Sequence, residues 1–124
     1  MLRGCRVLIV EDEFFLADDL KRFLISHGAK VIGPVATLDD GVDTIAANDR
    51  IDFAVLDLNL GGHLSFEVAA QLRARDIPFV FATGYGAMRI PLGYRDVTRV
   101  EKPYALEDLL PIIEASTLGC GRDC

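Results

Sequence analysis

Carboxylates follow two separate apolar runs of this sequence. Glu11-Asp12-Glu13 comes directly after residues 7–10, and Asp57 comes directly after residues 53–56. Carboxylates that lie close together repel one another unless a cation separates them, and a divalent ion with oxygen ligands meets that need. The pattern therefore predicts a metal-binding acidic cluster. For Glu11-Asp12-Glu13 the alternative is a solvated first turn of a helix, where acids suit the helix dipole.

Two further apolar runs end in side chains that suit phosphoryl chemistry. Thr83 follows residues 79–82 and offers a hydroxyl, while Lys102, one of only three lysines, offers a mobile positive charge. Asp57 could attack a phosphoryl donor and form an aspartyl phosphate, with a metal on Glu11 and Asp12. Each residue alone could equally be an ordinary turn or strand-end residue. All of them together, at successive strand ends, favour one phosphoryl-transfer site.

Short apolar runs alternate with amphipathic segments along the chain. The predicted strands are Arg6–Val10, Lys30–Val35, Phe53–Asp57, 78–82 and 98–101. Because right-handed crossovers place successive helices on alternate faces, this alternation predicts a parallel sheet covered on both sides, a three-layer α/β sandwich. The carboxyl ends of parallel strands lie at the same edge of a sheet. We therefore expect the acids, Thr83 and Lys102 to lie together at that edge.

Helical periodicity follows most of the predicted strands. Thr37 is a plausible N-cap of the second helix, and Ser65 directly precedes the third. The last helix is predicted from about residue 106 to 115, with Pro111 as a local defect. Glycine and proline are frequent between Thr83 and Thr98, which predicts a short or irregular fourth helix with one turn near 87–90.

Composition limits the class of protein. The chain has 124 residues, 51% of them hydrophobic, and a net charge of -6 without a basic stripe, which argues against nucleic-acid binding. No apolar stretch is long enough for a membrane span or a signal peptide, so we predict a cytoplasmic protein. Three cysteines do not suggest a disulfide framework. We expect one domain over residues 1–117 and a flexible tail over 118–124, which contains Cys120 and Cys124.

Over about residues 4–117 the chain resembles the receiver domain of two-component response regulators. The resemblance rests on residues 7–13, Asp57, Thr83-Gly84 and Lys102-Pro103, in that order and spacing. It implies a five-stranded, doubly wound sheet of flavodoxin-like topology. It also implies a bacterial signalling protein, not an enzyme, whose Asp57 takes a phosphoryl group from a histidine kinase in a Mg²⁺-dependent reaction.

The resemblance also implies roles for individual residues. Asp12, Asp57 and the backbone carbonyl of Asn59 would bind Mg²⁺ directly, and Glu11 would act through metal-bound water. Many receivers have a proline four residues after the aspartate, where this chain has Gly61-Gly62, which predicts a freer loop.

Residues 78–86 (PFVFATGYG) are similar to a subgroup of stand-alone receivers common in alphaproteobacteria, often partnered by kinases of the HWE type. Arg99 replaces the aromatic residue that swings inward in most receivers, and Tyr85 is the nearest aromatic substitute. Tyr104 stands where phenylalanine is commoner. Tyr85, Arg99 and Tyr104 are therefore the candidate switch and partner-surface residues, through which a downstream protein or a competing regulator would be affected.

Three alternative functions fit parts of this pattern but not all of it. An aspartate-based phosphohydrolase uses similar acids, threonine and lysine, but its nucleophilic aspartate comes early in the chain and its metal acids late, the reverse of this order. A flavin-binding domain would need a phosphate-binding loop where Glu11-Asp12-Glu13 stands. A degenerate receiver that works without phosphate is disfavoured because no site residue is missing.

Overall fold

The structure, a computed structural model, describes residues 2–84 and 90–117. In chain order its strands are β1 (Arg6–Val10), β2 (Lys30–Val35), β3 (Phe53–Asp57), β4 (Asn59–Leu60), β5 (His63–Leu64), β6 (Phe79–Thr83) and β7 (Arg99–Glu101). Five of them form one parallel sheet in the order β2-β1-β3-β6-β7, and β4 and β5 form a separate antiparallel hairpin. With the hairpin set aside, this is the flavodoxin-like strand order. The predicted fold is confirmed, although β6 and β7 each begin one residue later than expected.

The described residues contain four α-helices: α1 (Phe14–Ser26), α2 (Leu38–Ala47), α3 (Phe66–Ala74) and α4 (Leu109–Thr117). Thr37 caps α2 as predicted, since its hydroxyl oxygen accepts the N–H of Asp40 at 3.1 Å. The predicted defect at Pro111 is wrong. A 3₁₀ turn (Leu106–Asp108) precedes α4, which places Pro111 in the first helical turn, where its missing N–H costs no intrahelical bond.

The connection between β6 and β7 contains no α-helix in the part that the structure describes. Residues 92–94 form a 3₁₀ turn, while residues 85–89, including most of the predicted helical turn, lie outside the described residues. The Tyr94 ring stacks on Phe66 at 5.4 Å between centroids and meets the edge of Phe81 at 6.0 Å. These contacts pack the described part of the connection against α3 and β6.

Side chains of the central strands alternate between two apolar layers. One layer packs against α1 and α4 and contains Val7, Ile9, Phe53, Val55, Leu20, Leu24, Leu109 and Ile113. The other packs against α2 and α3 and contains Leu8, Val10, Ala54, Leu56, Ile45, Val68 and Leu72. Because both faces of β1 and β3 are buried, polar side chains on these strands reach water only at the strand ends. Polar side chains that could form a functional site therefore lie together at the carboxyl edge of the sheet.

Candidate functional site

Three acids lie together at the carboxyl edge. Glu11 and Asp12 directly follow β1, Asp57 ends β3, and one carboxylate oxygen of each lies within 4.8 Å of the others. Glu11 and Asp57 are each only 4% exposed, whereas Asp12 is exposed to solvent. Three carboxylate oxygens at this spacing fit a hard divalent cation, so the cluster can hold a metal ion that enters from the Asp12 side.

Lys102 lies between the two buried acids. Its Nζ is 3.0 Å from Glu11 Oε1 and 3.0 Å from Asp57 Oδ2. The lysine follows β7, its backbone N–H donates to the carbonyl of Thr83 at 2.8 Å, and the bond to Pro103 is cis. One ammonium group cannot neutralise three carboxylates, so the site retains negative charge that a metal ion would offset.

The pKa values of this group reflect its burial. Burial raises the pKa of Glu11 to about 7, although hydrogen bonds from the Glu13 N–H and from Lys102 oppose the change. Burial also acts to lower the pKa of Lys102, but its bonds to Glu11 and Asp57 outweigh burial and leave that pKa raised. The lysine is therefore charged at physiological pH, while burial disfavours the charged form of Glu11.

Hydrogen bonds hold both the side chain and the backbone of Asp57. The N–H of Asn59 donates to Asp57 Oδ1 at 3.1 Å, and the hydroxyl of Ser65 donates to the Asp57 carbonyl at 2.7 Å. Ser65 makes no side-chain cap on α3, although it immediately precedes that helix. Sequence reasoning missed this role, because a serine before a helix is typical of a cap and nothing in the pattern indicates a bond back to β3.

Gly61 and Gly62 form the turn between β4 and β5. Their φ values of +57° and +94° are left-handed, as a two-residue type I′ hairpin requires. The N–H of Gly61 donates to Asp12 Oδ2 at 2.9 Å, and the N–H of Gly62 donates to Asn59 Oδ1 at 2.8 Å. The sequence suggested a freer loop here. The glycines instead supply the backbone conformation for a closed hairpin beside the acids.

Of the remaining predicted site residues, the structure describes Thr83, Arg99 and Tyr104. Thr83 ends β6 and is 3% exposed, next to β3 in the sheet. Arg99 is exposed on β7, and Tyr104 is half-buried with a hydroxyl that has no hydrogen-bond partner among the described residues. Burial and then the charge of Glu11 raise the pKa of Tyr104 to about 12. Tyr85 lies outside the described residues.

Three large apolar side chains are exposed on segments that follow the carboxyl ends of β1 and β3. Phe14 is 73% exposed, Phe15 80% and Leu64 52%, and they belong to the segments that follow β1 and β3. The two phenylalanine rings meet edge to face at 5.4 Å. Sequence reasoning did not single them out, because exposure cannot be read from apolar character alone.

The chain is similar to known receiver proteins. The sequence model of the family described as "Response regulator receiver domain" matches residues 7–114. The solution structure of SdrG from Sphingomonas melonis Fr1 has 37% sequence identity and a TM-score of 0.79, covering 95% of this chain and 99% of that one. A receiver protein from Sinorhizobium medicae, at 21% identity and a TM-score of 0.79, shares the fold over 97% of this chain and 99% of that one.

Longer proteins are also similar. The sensory transduction protein RegX3 of Mycobacterium tuberculosis is 36% identical over 94% of this chain, and the transcriptional regulatory protein YvrH of Bacillus subtilis is 32% identical over 66%. The chain spans 52% of the length of RegX3 and 35% of YvrH. Among the helices that the structure describes, none combines the length and apolar character needed to cross a bilayer.

Proposed function

The chain belongs to the response regulator receiver domain family, and we propose that Asp57 is its phosphoacceptor in a Mg²⁺-dependent transfer from a histidine kinase. The observation that carries the proposal is the position of the Asp57 carboxylate, beside two further acids and 3.0 Å from the Lys102 ammonium. A carboxylate in that setting is both a nucleophile and a group whose product charge is compensated.

The chain's own residues have distinct parts in the transfer. The N–H of Asn59 orients Asp57 Oδ1, and the other oxygen faces Lys102. The attacking oxygen forms a bond to phosphorus as the bond from phosphorus to the donor histidine nitrogen breaks, and the imidazole leaves with that electron pair. Lys102 then turns to the phosphoryl oxygens, where the Thr83 hydroxyl also donates a hydrogen bond.

Glu11, Asp12, Asp57 and the carbonyl of Asn59 are the groups that would hold the ion. When bound, Mg²⁺ supplies positive charge that offsets the acids and the incoming phosphoryl oxygens. The site is too negative to admit a phosphoryl group readily without that compensation, since Lys102 provides a single positive charge against three carboxylates.

Two surfaces would serve partners. The exposed Phe14 and Phe15, which begin α1 after the acids, and Leu64 of β5 are the proposed contacts for the donor protein. Tyr85, Arg99 and Tyr104 are the proposed output surface for a downstream protein.

A kinase of the HWE type remains a prediction from residues 78–86. We further infer a cytoplasmic location and no direct contact of this domain with nucleic acid. The phosphohydrolase alternative has no observation in its favour.

The test of the function is acceptance of phosphate by purified protein. With Mg²⁺ and acetyl phosphate, intact-mass spectrometry should detect one phosphoryl group on wild-type protein and none on Asp57→Asn. Asp19→Asn removes an exposed acid in the middle of α1 and is the matched control, which should be labelled like wild type. Full labelling of Asp57→Asn would mean that another residue is the acceptor.

A further inference from the structure

We propose that the Gly61-Gly62 turn positions Asp12 for the metal ion, so that the left-handed backbone at Gly61 determines how tightly the acidic cluster binds Mg²⁺. This inference rests on the proposed metal-dependent function and deepens it. It assigns a positioning role to a backbone N–H rather than to a side chain.

Asp12 needs a partner to remain near the other acids. It is exposed, and like charge on the buried Glu11 and Asp57 favours its rotation out to solvent. Lys102 pairs with Glu11 and Asp57, whereas the Asp12 carboxylate accepts the N–H of Gly61 at 2.9 Å. A hydrogen bond from a backbone N–H to a carboxylate is charge-assisted, and the loop that carries this one is closed by the β4–β5 pairing.

The same turn connects Asp12 to Asp57. Gly62 donates to the side-chain oxygen of Asn59, and the Asn59 N–H donates to Asp57 Oδ1. Asp12 and Asp57 therefore accept hydrogen bonds from Gly61 and Asn59 of one hairpin, which sets the separation of two metal-binding carboxylates before a metal arrives. Groups that orient metal ligands through hydrogen bonds typically change metal affinity by about 10- to 100-fold when they are lost.

The glycines are required for their conformation rather than for space. A Cβ at Gly61 would meet only Asp12 Oδ2, at 4.0 Å, and a Cβ at Gly62 would meet nothing within 4 Å. A substitution at Gly61 therefore acts through φ, which is +57°. Asparagine tolerates this region, whereas a β-branched residue does not, so the two substitutions separate backbone conformation from side-chain volume.

The experiment measures the Mg²⁺ dissociation constant without any phosphodonor, by following backbone amide shifts in NMR titrations. We expect Gly61→Val to bind Mg²⁺ about 10-fold more weakly than wild type. Gly61→Asn should restore affinity close to that of wild type. Gly4→Val is the matched control, because Gly4 is also left-handed, at φ +76°, has no atom within 4 Å of its Cβ position, and lies before β1 at the opposite edge of the sheet. It should lose stability but keep its affinity.

Wild-type affinity in a folded Gly61→Val protein would overturn the inference, and so would equal weakening by Gly61→Asn. If Gly61→Val does not fold, amide hydrogen exchange in Asp12→Ala decides the matter. Faster exchange of the Gly61 N–H than in wild type supports the bond to Asp12, and unchanged exchange overturns it. Failure of wild-type protein to bind Mg²⁺ would instead refute the proposed function.

Discussion

Glu11 is a buried acid whose charge the metal-free fold disfavours. Its carboxylate is 4% exposed, and burial raises its pKa from 4.5 to about 7. Between those two values the folded protein binds more protons than the unfolded chain, so the free energy of unfolding falls as the pH rises. At about 1.4 kcal/mol per pKa unit, the total loss is on the order of 3 kcal/mol. This residue therefore couples stability to pH in a direction opposite to that of an ordinary salt-bridged acid.

Glu11→Gln should remove this dependence, because glutamine is neutral at every pH. We expect wild-type protein in EDTA to lose roughly 3 kcal/mol more unfolding free energy than Glu11→Gln between pH 5 and pH 8. Urea denaturation of both proteins at the two pH values measures the difference, and titrating groups that do not interact with Glu11 cancel in the comparison. Parallel pH profiles for the two proteins would show that Glu11 is not the source.

Site residues at the ends of strands can be predicted from the sequence, whereas site residues in a folded-back loop cannot. Asp57, Thr83 and Lys102 directly end or follow apolar runs, so strand periodicity alone brings them to one edge. Ser65 and Gly61 act through backbone groups of a loop that folds back, and that path is set by tertiary contacts rather than by a local pattern. A glycine pair between two short runs indicates a hairpin, but not which carboxylate its N–H will meet.

At the scale of elements, Arg73 of α3 holds the irregular connection between β6 and β7. Its guanidinium donates to the Gly93 carbonyl at 2.5 Å and to Asp96 Oδ1 at 3.2 Å, and it lies 4.8 Å from the centroid of the Tyr94 ring. The ion pair is exposed and contributes little, so the carbonyl bond and the ring contact matter more. One side chain thus contacts three residues in the described part of this connection.

Arg73→Ala should loosen this connection while leaving the sheet intact. We expect a loss of about 1–2 kcal/mol in unfolding free energy. We also expect faster hydrogen exchange of the Val97 N–H, which donates to the Tyr94 carbonyl. Arg22→Ala is the control, since Arg22 pairs with Asp18 at 3.0 Å on an exposed face of α1 and should cost only about 0.3–0.5 kcal/mol. Equal exchange rates at Val97 in wild type and Arg73→Ala would contradict this role.

At the scale of the whole molecule, the site exists only because two apolar layers hold the sheet together. Glu11 and Asp57 come from different strands, and Lys102 comes from a third segment 45 residues beyond Asp57. β1 and β3 are nearly all buried, so their positions follow from sequence patterns of continuous apolar residues. In the part of the connection before β7 that the structure describes, aromatic packing around Tyr94 involves residues far apart in the sequence, which a local pattern does not predict.

We expect a site assembled from distant segments to bind Mg²⁺ in the folded state and not in the unfolded chain, so Mg²⁺ should stabilise the protein by mass action. At a Mg²⁺ concentration 100 times the dissociation constant, the gain in unfolding free energy should be about 2.7 kcal/mol. Urea denaturation in Mg²⁺ and in EDTA measures it, with NaCl at matched ionic strength as the control for simple screening of the acids. Asp12→Asn should reduce the gain, because it removes one of the three carboxylates. An unchanged urea midpoint at concentrations where NMR detects bound Mg²⁺ would mean that the ion binds equally well to the unfolded chain.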